Sequence, residues 1–126
     1  MPSAPAVDCP ATHLPTVAKA AKVTVTVNSE GTIVCSPDPI NVKRGQSVLK
    51  FQLQAPGYVF RQKKAIVVSN PGRDFPLPSV TSADGVTATL RDEHLDCCDY
   101  KYSVYLMQVS SGRIICVDPV IRNDPD

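Results

Sequence analysis

Residues 100–123 read YKYSVYLMQVSSGRIICVDPVIRN. Tyr100, Tyr102, Val104 and Leu106 fall on one face, while Lys101, Ser103, Tyr105 and Met107 fall on the other. A period of two is that of a strand packed on one side. Ser110-Ser111-Gly112 interrupts it, and Gly112 is free to take the positive φ that a tight turn needs. Ile114 to Val117 resumes an apolar run. Asp118-Pro119 then ends it, because proline has no N–H to give to a ladder. The stretch therefore reads as a strand, a hairpin turn, a second strand and a stop.

The same grammar occurs twice. Residues 29–35 read SEGTIVC and 110–116 read SSGRIIC, and Asp38-Pro39 follows the first as Asp118-Pro119 follows the second. Gly31 and Gly112 are expected to open two hairpins, with the Asp-Pro pairs closing their second strands. If the copies lie side by side, Cys35 and Cys116 should both be buried, and whether they pair is left open at this point.

Outward from these copies the alternation continues. Val23, Val25 and Val27 oppose Thr24 and Thr26; Ile40 and Val42 make a short strand; Lys43-Arg44-Gly45-Gln46 turns into Val48–Leu53. The run from Tyr58 to Val68 supplies one long or two short strands. Residues 69–85, punctuated by Pro71, Gly72, Pro76 and Pro78 and poor in apolar side chains, read as an extended crossing loop or a poorly ordered excursion. Val86–Leu90 is again strand-like, and no segment shows a period of 3.6. About eight strands at this spacing specify an all-β Greek-key sandwich, immunoglobulin-like or cupredoxin-like. Residues 1–20, with four prolines and no period, are expected to form a loose N-terminal arm, and 21–126 the single domain.

A chain of 126 residues buries enough surface to stand without a cofactor, and none is expected. Thirteen basic and twelve acidic residues are interspersed, giving net charge +1, which leaves no electrostatic footprint for nucleic acid or for a membrane surface. The first twenty residues lack a basic start and a long apolar run, so the chain reads as soluble and not exported. Five cysteines cannot all pair within one chain, which favours free thiols and a cytoplasmic location.

Between Leu90 and Val104 the chain reads LRDEHLDCCDYKYSV, in which Asp96, Cys98, Tyr100 and Tyr102 resemble the tyrosine corner of Greek-key sandwiches. On that resemblance Tyr100 buries its ring and returns its hydroxyl to backbone a few residues upstream. The element Ile40 to Val48 with Phe51, together with the last hairpin, resembles cupredoxin-like sandwiches. A blue-copper site would need His, Cys and Met around the Tyr-x-Tyr strand, yet Val104 holds the place after it, no His follows, and Met107 stands alone. The doubled Asp-Pro, the closing DPVIRN and Gly57-Tyr58-Val59-Phe60 resemble the DP-EP family of small bacterial proteins. That resemblance implies a compact β-sandwich without an assigned activity. The ending Asp-Pro-x-Ile-x-Asn is also similar to that of AidA-type inclusion-body proteins.

One cluster has the chemistry of a site. His94, Cys97 and Cys98, with Asp96 and Asp99, hold imidazole, thiol and carboxylate within six residues and would suit a soft or borderline metal. In an extended segment Cys97 and Cys98 point to opposite faces, which hinders chelation by both; a structural corner, with no metal, is the expectation. No catalytic residue stands out, and Asp38 and Asp118 are expected to cap turns. A non-catalytic protein-binding or structural module follows, pairing with a protein partner or with itself as a homodimer through exposed Tyr105, Met107 and Val109. A thiol or metal sensor using His94, Cys97 and Cys98 is the alternative, and an enzyme on a sandwich scaffold the second.

Overall fold

The computed structural model describes residues 7–8, 19–43 and 45–124. Among them are thirteen strands and no helix: β1 (Val7–Asp8), β2 (Lys19–Val27), β3 (Ile33–Ser36), β4 (Ile40–Val42), β5 (Gln46–Leu53), β6 (Tyr58–Phe60), β7 (Ile66–Val68), β8 (Val80–Thr81), β9 (Thr87–Arg91), β10 (Asp96–Cys97), β11 (Asp99–Gln108), β12 (Ile114–Val117) and β13 (Val120–Asn123). Tyr58–Val68 is thus two short strands.

Two mixed sheets form the sandwich. The first has the order β3-β2-β5-β9-β8, with β2 and β5 parallel. In the second, β11 is the spine: one edge takes β12 and then β13, the other takes β6 and β7, and β4 joins β13 in parallel. The alternation seen in the sequence decides what faces inward. Val23, Val25, Leu49, Phe51, Ala88 and Leu90 of the first sheet meet Phe60, Tyr102, Val104, Leu106 and Ile121 of the second, all buried. Phe51 and Tyr102 touch between the sheets, their ring centroids 5.6 Å apart.

The duplicated motif folds into two hairpins whose strands face opposite ways. Gly31 and Gly112 both take positive φ, 80° and 72°. In the first hairpin Asn28 N–H bonds Thr32 O and Val27 pairs with Ile33, enclosing residues 29–31. In the second, Gln108 N–H bonds Arg113 O and Met107 pairs with Ile114, enclosing residues 109–112. One extra residue in the loop shifts the register by one, and such a slip sends every side chain to the other face. Ile33 and Cys35 therefore point into the core, whereas Ile115 and Val117 pack toward it and Ile114 and Cys116 turn outward. The expectation that Cys35 and Cys116 are both buried is corrected: Cys116 is exposed, and both are free thiols.

The crossing loop also departs from its expected character. Asp74 and Phe75 are buried, so the segment inserts into the end of the sandwich instead of passing over it. At the N-terminal arm, Val7–Asp8 pairs with Asp96–Cys97, and β2 starts at Lys19. Residues 1–6 and 9–18, the remainder of the expected arm, lie outside the described residues, as does Arg44 of the expected 43–46 turn.

Candidate functional site

The most concentrated polar chemistry lies at the end of the sandwich where the crossing loop, the β9–β11 corner and β13 meet. Asp74 comes from the crossing loop, Asp92 follows β9, His94 turns the corner with φ 54°, Asp96 lies in β10, Tyr100 in β11 and Asn123 in β13. All six are buried, Asp74 and Asp92 completely.

Asp74 is the acceptor on which the others converge. Its carboxylate accepts from Leu95 N–H at 2.5 Å, Tyr100 O–H at 2.8 Å, Asn123 Nδ2–H at 3.0 Å and Asp96 N–H at 3.3 Å. A buried carboxylate is tolerable only when donors replace its lost hydration, and this one has four. Phe75 beside it packs edge-on against the Tyr100 ring at 4.8 Å. The tyrosine-corner resemblance implied that the Tyr100 hydroxyl returns to upstream backbone; it donates instead to the side chain of Asp74. Burial first, then the Cys98 and Asp74 contacts, push the phenol's pKa up, so it stays a donor. Arg73 closes the outside of the cluster with a forked ion pair to Asp96, at 2.7 Å from Nη2 and 3.1 Å from Nε.

Asp92 is less well served. Oδ1 accepts from His94 N–H at 2.9 Å and Asn123 Nδ2–H at 3.0 Å, while Oδ2 is buried with no partner. Burial above all, with the nearby Asp74 and Glu93 carboxylates adding to it, pushes this acid up to about 7 against the lowering effect of its two donors. The His94 ring donates from Nε2 to Asp124 O at 2.9 Å, since a carbonyl only accepts. Its Nδ1 is buried and unpartnered among the described residues, as is Asn123 Oδ1. Chemically the cluster holds together three chain segments and stores a proton near neutrality. It is closed to solvent, so its acids do not meet a substrate in this state.

The candidate metal ligands do not assemble. His94 points to Asp124, Cys98 is half-buried against the core with its thiol pKa raised chiefly by burial, and Cys97 is disulfide-bonded. The expectation of free thiols is therefore corrected at Cys97, where pairing of β10 with β1 brings the N-terminal segment against it. Among the described residues no group of three His, Cys, Asp or Glu side chains is arranged to hold a metal ion.

The two Asp-Pro pairs lie together. β4 and β13 run in parallel with Ile40 opposite Ile121, and Asp38 Oδ1 accepts from Val120 N–H at 3.0 Å across that boundary. Asp118 Oδ1 accepts from the Ser103 hydroxyl at 2.7 Å, and Pro119 O accepts from Tyr102 N–H at 3.1 Å. Ser36-Pro37 and Asp38-Pro39 are cis, and Pro39 is half-buried between β3 and β4. Gly31 and Gly112 stand in open space at their hairpin tips.

Asp74, Asp92 and Asn123 were not singled out by the sequence. Two carried a usable signal: Asp92 continues the inward phase of Ala88 and Leu90, and Asn123 that of Ile121. A polar residue in inward phase at a strand end calls for a buried partner. Asp74 had no such mark beyond its neighbour Phe75.

A second feature lies on the outer face of the second sheet. Register places Val59, Met107 and Ile114 in one row across β6, β11 and β12, with Tyr105 beside Cys116 in the next. Ile114 is 43% exposed and Val109 at the hairpin tip 59%, whereas Tyr105 and Met107, expected to be exposed, are half-buried. Arg61 lies over the Tyr105 ring, 4.0 Å from its centroid, and is held there by Lys63 O and Lys64 O. Compared with known proteins, the chain matches no family model and no curated protein.

Proposed function

We propose that this chain is a non-catalytic binding module that associates with a second copy of itself through the outer face of its second sheet. The observation that carries the reading is the Val59–Met107–Ile114 row, apolar on all three strands and running to β12 at the edge of the sheet. An apolar row that reaches β12, the last strand of this sheet among the described residues, is continued by the same row of a twofold-related copy, which needs no complementary second protein. Arg61 fixed over Tyr105 makes the border of the row rigid, so little side-chain freedom is lost on contact.

The parallel pairs β2 with β5 and β4 with β13 support the Greek-key, cupredoxin-like form of the sandwich, and with it the DP-EP resemblance. The disulfide at Cys97 favours an oxidising compartment over the cytoplasm expected from free thiols, and takes one thiolate from the sensor alternative. Paired substitutions test the reading. Met107→Arg should abolish association while leaving the melting temperature within a few degrees, and Thr24→Arg on the opposite face should leave association intact. Equal behaviour of the two variants would remove the outer face from the account.

A further inference from the structure

The outer face of the first sheet carries the opposite chemistry. β2 and β5 are parallel, and their register sets Lys22 beside Lys50 and Thr24 beside Gln52. The antiparallel pairing of β5 with β9 extends the two rows, placing Thr89 next to Lys50 and Thr87 next to Gln52. All six of these side chains donate hydrogen bonds, and no carboxylate stands in either row. Like charges set directly side by side on a sheet repel, and neither ammonium has an ion-pair partner among the described residues. Lys22, Thr24, Lys50 and Gln52, with Val23, also line a hollow in this face.

We propose that this hollow is a binding site for a phosphate- or sulfate-type oxyanion, held by the Lys22 and Lys50 ammoniums and by the Thr24 hydroxyl and Gln52 amide. An oxyanion has the properties the hollow lacks: negative charge to relieve the lysine pair, and several acceptor oxygens for a set composed of donors. The strands fix the spacing. Neighbouring strands lie about 4.8 Å apart and same-face residues along a strand about 7 Å apart, so the four donors surround a space the size of one tetrahedral anion. Nothing in this inference depends on the association face, which lies on the other sheet.

The test uses the whole chain, isotopically labelled, with inorganic phosphate and sulfate as probes and sodium chloride at matched ionic strength as control. Backbone amides of residues 22–24 and 50–52 should shift saturably with phosphate or sulfate. Chloride should give only small, linear shifts. Lys50→Gln should weaken binding about tenfold, the size of one lost charge-assisted contact, and Lys22→Gln similarly. The same spectra show that the variants are folded. Linear shifts shared by all three salts, or affinities unchanged in both variants, would overturn the site. If sulfate and phosphate saturate equally, the oxyanion class is supported; if both fail, it falls.

Discussion

Replacing Asp92 with Asn should make the protein more stable at neutral pH and remove the share of its stability change between pH 4 and 7 that this acid contributes. The Asp92 carboxyl is fully buried, its Oδ1 has two donors and its Oδ2 none. Its acid is raised from 3.8 to about 7, mainly by burial. The sign follows from which state binds the proton more tightly. Below about pH 4 both folded and unfolded chains carry it, and Asp92 imposes no penalty. Between about pH 4 and 7 the folded chain holds a proton that the unfolded chain releases, so stability falls as pH rises. Above about 7 the full penalty, about 4 kcal/mol if the whole shift is expressed, is in place and the curve flattens. Asn keeps an oxygen for the His94 and Asn123 donors and cannot ionise. Urea unfolding followed by tyrosine fluorescence at pH 4.5, 5.5, 6.5 and 7.5 measures the effect. The wild type should lose stability along this series by a few kcal/mol more than the Asn variant, which should be the more stable at pH 7.5. Parallel curves for the two proteins would refute the assignment of a neutral, proton-holding Asp92.

Two further outcomes follow from the same contacts. Asp74→Ala removes the acceptor of all four donors and should cost about 4 kcal/mol, whereas Tyr100→Phe removes only one of the four bonds to Asp74 and should cost about 1–2 kcal/mol; thermal melts compare them, and equal losses would contradict the central role of Asp74. In timed alkylation without reductant, exposed Cys116 should react first, and Cys97 only after reduction. Cys35 should be slowest of the free thiols, because burial and then Asp38 push it up from 9.0 to about 11, leaving roughly 100-fold less thiolate than an unperturbed cysteine.

The fold was legible wherever one face of a strand is buried and the other wet. Tyr100 to Leu106 and Val23 to Val27 announce themselves by period, and the interruptions at Gly31, Gly112 and the Asp-Pro pairs mark where strands end. What the period does not carry is loop length. SEGTIVC and SSGRIIC carry Ser, Gly, Ile and Cys at the same places, yet a loop longer by one residue puts Cys35 in the core and Cys116 in solvent, because register is set by the turn as well as by the strand. The polar cluster was hidden for a related reason. Its members come from residues 74, 92–100 and 123, and only tertiary packing makes neighbours of an aspartate in a proline-rich loop and an asparagine at the last strand. Asp74 in particular looks like a solvated loop acid until Phe75 is seen to anchor the loop. The lysine pair on the first sheet was equally unreadable, since it depends on β2 and β5 being parallel neighbours.

The most direct test of the central reading is the light-scattering mass of the wild-type chain across a dilution series from micromolar to millimolar. Association through the Val59–Met107–Ile114 row predicts a mass rising toward twice that of one chain as concentration increases. A mass equal to one chain at every concentration would contradict it.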